Sequence, residues 1–239
     1  MREQDIRTAM MLGEGSVEKL RSSRVAVFGI GGVGGYAVEA LARAGVGEMH
    51  LVDADRVSLS NINRQIIATH KTVGQYKTEA ARDRILEINP DARVFTYNLF
   101  FGEDTAKSFD FSSFDYIIDA IDSLSSKVLL ISLAKEAGVP IVSAMGAGNK
   151  LDPTRFEVAD ISKTEVCPLA RAVRVALRKK GINHLKVVYS KELPVLASPE
   201  SDAEKCDGKR APGSISFVPS VMGLILGGEV IKDISNGVK

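Results

Sequence analysis

The chain has 239 residues, 45% of them apolar, enough to bury a sizeable core as one domain or at most two small ones. A formal net charge of +1 gives no whole-chain reason to expect nucleic acid or a membrane surface as a partner. Two cysteines, Cys167 and Cys206, are too few for a disulfide framework, and "MREQDIRTAM" lacks the apolar centre of a signal peptide, so a cytoplasmic location is expected.

Val25, Ala26, Val27 and Phe28 read as a short buried strand, and Tyr36 to Ala44 as a helix. Between them lies "GIGGVGG", in which Gly29, Gly31 and Gly34 keep the G-x-G-x-x-G spacing. Glycine permits a tight turn and a close approach of backbone to phosphate, and the helix N-terminus then offers unpaired N–H groups to the anion. "EMHLVDAD" is a second strand, with Asp53 near its carboxyl end, where an acid can accept hydrogen bonds from a ribose. This much fits a dinucleotide and ATP equally well.

Farther on, "GQYKTEAARDRILEINP" is an amphipathic helix stopped by Pro90, and "ARVFTYNL" is a third strand. "DYIIDAID" is continuous enough to be central in the sheet; "SKVLLISLAKEAG" is the next helix and "VPIVSAMGAG" a fifth strand. Such alternation predicts an α/β fold with a doubly wound, mostly parallel sheet and a Rossmann-like nucleotide-binding half over about residues 20–150. From 151 to 239 the pattern changes. "RFEVADIS" and "HLKVVYSKE" look like strands flanking a basic helix, so this substrate-binding half reads as an elaboration of the same single domain. Residues 197–213 are polar and rich in turn formers, and a mobile loop is expected there. Residues 214–231 are the most apolar stretch, but Pro219, three glycines and Glu229 argue against a membrane span and for a buried helix, one suited to a subunit interface.

A triphosphate carries more charge than a pyrophosphate, so its site needs cations beyond the glycine turn. Arg64 lies in "SNINRQ" just after the second strand, amid Asn61, Asn63 and Gln65. Lys77 lies in the first turn of the following helix, where it opposes the helix dipole unless an anion compensates; a solvated surface lysine is the plainer reading. "IDAID" places Asp119 and Asp122 at the sheet's carboxyl edge, where Asp122 can hold Mg²⁺ against phosphates or simply cap the next helix. Together these residues favour ATP over NAD. From Val166 to Lys191 there is no acid but seven positive charges, with Arg171, Arg174 and Arg178 at helical spacing on one stripe, followed by Lys179 and Lys180. A solvated outer helix face, an acidic carrier protein and a tRNA backbone are the readings open to that segment; the tRNA backbone accounts best for the missing acids.

"GIGGVGG…LVDADRVSLSNINRQ…VGQYK…INP…IDAID" resembles the adenylating enzymes related to ubiquitin activators. The resemblance implies that Gly29, Gly31, Gly32 and Gly34 face the phosphates, that Asp53 binds the ribose, and that Asp55 and Ser123 belong to the nucleotide site. It implies that Asn63, Arg64 and Lys77 contact the triphosphate, that Asp122 binds metal or nucleotide, and that Arg7 enters the ATP site of a partner subunit, hence a homodimer. Family members that activate sulfur carriers commonly hold zinc between two C-x-x-C pairs; this chain has no C-x-x-C. That departure, with "TEVCPLARAVRVALRKKGI" and "KRAPGSISFVPSVMG", resembles the branch acting on tRNA. The implied reaction is ATP-dependent cyclisation of threonylcarbamoyladenosine beside the anticodon, through an acyl-adenylate. The alternative is activation of a ubiquitin-like sulfur carrier with transfer to a cysteine. Cys167, just before a helix, fits a reactive thiolate but also a small buried residue, and Cys206 fits a sulfur acceptor supplied by a partner protein.

Overall fold

The computed structural model describes residues 1–195, 205–206, 209–210 and 212–237. Two short helices open the chain, α1 (Ile6–Leu12) and α2 (Glu14–Ser22), parted by Gly13 at φ 83°. Neither was read from the sequence. Then come β1 (Arg24–Phe28), α3 (Gly34–Arg43), β2 (Glu48–Val52), α4 (Lys77–Ile88), β3 (Arg93–Tyr97), α5 (Glu103–Ala106), β4 (Tyr116–Asp119), α6 (Leu124–Glu136) and β5 (Ile141–Ala144). The remaining elements are β6 (Phe156–Asp160), α7 (Pro168–Arg178), β7 (Lys186–Ser190), the two-residue strands β8 (Lys205–Cys206) and β9 (Lys209–Arg210), and α8 (Phe217–Asn236).

Seven strands form one sheet in the order β3-β2-β1-β4-β5-β7-β6, parallel except for β6, which runs antiparallel to β7 at the edge. The doubly wound α/β fold expected from the alternation of elements is present, and β6 and β7 continue the same sheet. Strand periodicity shows why both faces are covered. Val25 and Val27 of β1 point into a core shared with α2, α3, α4 and α8, whereas Ala26 and Phe28 point into one shared with α6 and α7. On the second face Phe28 meets Phe101 edge to face, with ring centroids 4.9 Å apart, and Phe109 at 5.4 Å. Of the loop expected at 197–213, only β8, β9 and residues 212–213 are described; the rest, and the side chain of Cys206, lie outside the described residues.

The apolar stretch near the C-terminus is the buried helix expected of it. Val218, Met222, Leu226 and Val230 recur every four residues and are fully buried. Gly223 and Gly227 let α8 press against α3. A Cβ on Gly223 would land on the Val33 carbonyl oxygen and 2.8 Å from Tyr36 Cβ, and one on Gly227 would meet Ala40 Cβ at 2.7 Å. Among the described residues no helix is long and apolar enough to cross a membrane.

Gly228, one position on, has open space around it. Gly228→Ala should therefore stabilise the fold by about 0.5–1 kcal/mol through helix propensity. Gly223→Ala should cost roughly 1–3 kcal/mol through overpacking. Urea denaturation of both variants checks the pair; a gain at both positions would mean that α8 and α3 are not in close contact.

Candidate nucleotide site

In the order β3-β2-β1-β4-β5, successive connections reverse direction between β1 and β4, and open α/β sheets bind ligands in the crevice outside the carboxyl ends at such a point. The glycine turn leaves β1 there, and Ala120–Ser123 leaves β4 beside it. Gly29 sits at φ 88°, and a Cβ on it would lie 2.6 Å from the Ala120 carbonyl oxygen. A Cβ on Gly34 would collide with the Gly29 carbonyl. These two glycines are demanded by the chain itself. Gly32 is not: an added Cβ would meet only Arg64 Cγ and Pro219 Cβ, both at 3.4 Å. Gly31 is equally unconfined, with Gln65 Nε2 at 3.9 Å. Their bareness leaves the backbone open to a ligand while Arg64 and the first turn of α8 wall it in.

Asp53, just past β2, braces the turn. Its Oδ2 accepts from Ile30 N at 2.6 Å and its Oδ1 from Asp55 N at 2.8 Å. Burial pushes its carboxyl above the usual carboxylate range, against the pull of Lys77 and of those two N–H groups. Lys77 is the first residue of α4 and is 7% exposed, so it is not a solvated surface lysine. Its Nζ donates to Asp55 Oδ2 at 2.6 Å and lies 4.0 Å from Asp53 Oδ1. Asp55 is thus the compensating anion for a cation at a helix N-terminus, and its outward carboxylate leaves that ammonium facing the crevice.

Arg64 Nη1 donates to the Ser60 carbonyl at 3.0 Å and to Asn63 Oδ1 at 2.8 Å, while Asn63 Nδ2 donates to the Ser214 carbonyl at 3.0 Å. Asn63 therefore ties the polar loop to the segment entering α8. Asp122 is exposed, with no hydrogen bond among the described residues, and the N-cap position of α6 falls instead to Ser123. The geometry brings together Gly29–Gly34, Asp53, Asp55, Asn63, Arg64 and Lys77, and sets Asp122 and Ser123 across the crevice. It does not bring in Arg7. That residue is exposed on α1, which packs on α2, beside the exposed apolar side chains of Ile6, Met10 and Met11.

Sequence reasoning missed Lys127. Its side chain is completely buried, and its Nζ donates to Asp119 Oδ2 at 2.8 Å, the Ala144 carbonyl at 2.9 Å and Ser143 Oγ at 3.2 Å. Asp119 Oδ1 accepts from Ile121 N at 3.1 Å. One buried ion pair thus joins the loop carrying Asp122, the start of α6 and the end of β5. A lone lysine in the apolar run "KVLLISLA" was the available signal.

The basic segment differs from the stripe expected. Arg174 is turned inward, its Nη1 donating to Thr164 Oγ1 at 2.5 Å and to the Thr164 and Ile161 carbonyls at 2.8 and 3.2 Å. Lys186 pairs with Glu229 and Asp233 of α8, and Lys191 with Glu157 and Glu165. Three of the seven cations are therefore committed within the chain, which leaves Arg171, Arg178, Lys179 and Lys180 exposed. Cys167 is 3% exposed, with its Sγ packed near Gly146, out of reach of a partner's carbonyl carbon.

An α/β sheet whose switch point carries a bare glycine turn, a buried acid bracing it and two cations defines a nucleotide-binding protein, and the chain belongs to the ThiF family, which it matches over residues 4–237. It is 42% identical over 247 aligned positions to the tRNA threonylcarbamoyladenosine dehydratase of Bacillus subtilis, covering 100% of this chain and 97% of that one. The Escherichia coli protein of the same name is 38% identical over 207 positions, covering 83% of this chain and 76% of its own length. The crystal structure of the E. coli dehydratase in complex with ATP superimposes with a TM-score of 0.88 at 33% identity, over 99% of this chain and 95% of that one. A second, in complex with AMP, gives a TM-score of 0.89.

An acid whose pKa is raised on folding favours the folded state while protonated and loses that advantage as pH rises through the raised value. Wild type should show this loss above the unfolded pKa of about 3.9, and Asp53→Asn should not. The melting temperature of the variant relative to wild type should therefore climb as pH increases from about 4; parallel curves would mean that burial imposes no cost on the carboxylate.

Proposed function

We propose that this chain activates the carboxylate of threonylcarbamoyladenosine in tRNA with ATP and closes the product to its cyclic, dehydrated form. The observation that carries this reading is the match along the whole chain to dehydratases of that name, one of which has a solved structure in complex with ATP. A free carboxylate is a poor electrophile because hydroxide is a poor leaving group. Attack of a carboxylate oxygen on the α-phosphorus of ATP forms an acyl-adenylate and releases pyrophosphate. The neighbouring carbamoyl nitrogen then attacks the activated carbonyl carbon, loses its proton and expels AMP, so that water is lost overall.

The residues supply positioning and charge neutralisation. The turn at Gly29–Gly34 lies along the phosphates, with Gly31 and Gly32 presenting backbone where a side chain would intrude. Asp53 holds the turn through Ile30 and accepts from the ribose with its remaining lone pairs. Arg64, Asn63 and Lys77 meet the β- and γ-phosphates, for which Lys77 exchanges its contact with Asp55. Asp122, exposed and without a hydrogen bond among the described residues, would hold a magnesium ion there. Such an ion supplies charge neutralisation on the departing pyrophosphate. The buried thiol of Cys167 argues against transfer to that cysteine, and the full-length match to dehydratases favours the tRNA reading over the sulfur-carrier one.

In a homodimer, Arg7 of one subunit completes the site of the other, and the exposed Ile6, Met10 and Met11 beside it cover the join. The exposed Arg171, Arg178, Lys179 and Lys180 face the RNA. A cytoplasmic location fits a tRNA substrate.

Mass spectrometry of tRNA nucleosides tests the reading directly. Cells lacking the protein should accumulate the open nucleoside and lose the cyclic one, and an unchanged cyclic pool would refute the assignment. With purified protein, Arg64→Ala should lower tRNA-dependent AMP formation by roughly 100- to 1,000-fold, the range for removing one transition-state charge contact. Its melting temperature should stay within about 1 °C of wild type, because Arg64 lies outside the core. Mixing inactive Arg7→Ala with inactive Arg64→Ala subunits should restore part of the activity; no recovery despite demonstrated subunit exchange would remove Arg7 from the partner's site.

A further inference from the structure

Between α6 and α7 runs a groove of about 600 Å³ with an apolar floor of Leu124, Val128, Ala172 and Val175 and a rim of Arg171, Lys179 and Lys180. Leu124 and Val175 are 40% and 49% exposed, more apolar surface than an ordinary solvated helix pair shows at its seam. Every charged residue lining it is basic, and none of the three has an acidic partner among the described residues. The groove also has a fixed place relative to the candidate site: Leu124, which lines it, starts α6 two residues past Asp122.

We infer that this groove seats unpaired nucleotides flanking the reacting adenosine, with sugars and bases on the apolar floor and phosphates on the basic rim. The inference rests on the tRNA reading above and adds the surface that holds the strand. Unpaired nucleotides alternate apolar faces with single negative charges, which is the complement of this floor and rim. The Arg171 guanidinium can in addition stack on a base. A second copy of the chain is a poorer occupant. A two-fold interface brings a patch against itself, and here six cations would meet with no acid between them. A lipid surface would need a continuous apolar face, and along this groove the large exposed apolar side chains are Leu124 and Val175 alone among the described residues.

The test uses full-length protein and a fluorescent anticodon stem–loop carrying threonylcarbamoyladenosine, titrated by anisotropy across a salt series. Val175→Glu places an acid on an exposed part of the floor and should raise the Kd for the stem–loop at least tenfold. Binding of MgATP, followed by equilibrium dialysis, should change less than twofold, and the sedimentation coefficient should not change. The Lys179→Ala/Lys180→Ala double variant should flatten the dependence of log K on log salt by up to about two units, one per lost phosphate contact. Unaltered stem–loop affinity in both variants overturns the inference, as does a changed oligomeric state in Val175→Glu, which would mean that the groove is covered by another protein chain. Should Val175→Glu fail to fold, the double lysine variant decides alone, because exposed lysines contribute little to stability. Wild type that neither binds the stem–loop nor forms AMP with it would instead sink the tRNA reading itself, so the two failures are told apart.

Discussion

The site depends on how closely two strand exits cross. Gly29 leaves β1 at a positive φ and passes so near the Ala120 carbonyl that no side chain fits between them. The backbone N–H of Gly29 is meanwhile tied to the Val52 carbonyl at the end of β2 at 2.8 Å. Three neighbouring strands are thus locked together at their carboxyl ends by a residue without a side chain. Asp53, the glycine turn and the loop bearing Asp122 take their places from this single crossing. The buried Lys127–Asp119 pair performs the same task one strand farther along. Burying both charges carries a desolvation cost that apolar residues of similar size would avoid, so its presence beneath the crevice is explained better by the position it gives the Asp122 loop than by stability.

Much of the sheet was legible because its strands are short apolar runs broken by turn formers, and both faces of each had to be covered. Asp53, Arg64 and Lys77 were legible as charge placed where an α/β sheet binds anions. What escaped were properties set by partners distant in sequence. Nothing in "ARAVRVALRKK" says that Arg174 will be drawn inward, since the carbonyls that hold it belong to residues 161 and 164, in a turn ahead of the helix. Spacing alone made it equivalent to Arg171 and Arg178. Asp55 likewise reads as a nucleotide ligand, yet in the folded chain it faces Lys77 first. The opening helices α1 and α2 went unread because Gly13 and Gly15 interrupt a pattern too short to show a period.

The Asp55–Lys77 contact also bears on how an empty site stays intact. A nearly buried ammonium with no counter-charge would be strained. Asp55 relieves this from the solvent side, where a movement of its carboxylate would leave the core undisturbed. Asp53 has no such freedom, because both of its oxygens brace backbone. Two acids two residues apart thus divide the work, one fixed and one exchangeable.

The glycine seam between α8 and α3 has a further bearing on the life of the chain. The glycine turn, Asp53, Arg64, Lys77 and Asp122 all precede residue 124, but the helix that backs α3 begins at Phe217. While a ribosome is still emitting the second half of the chain, α3 lacks its packing partner, and the faces of Ala37 and Ala40 that meet Gly223 and Gly227 are open to water. Helix α8 thus closes over the helix that follows the glycine turn only once residues 217–236 have been made.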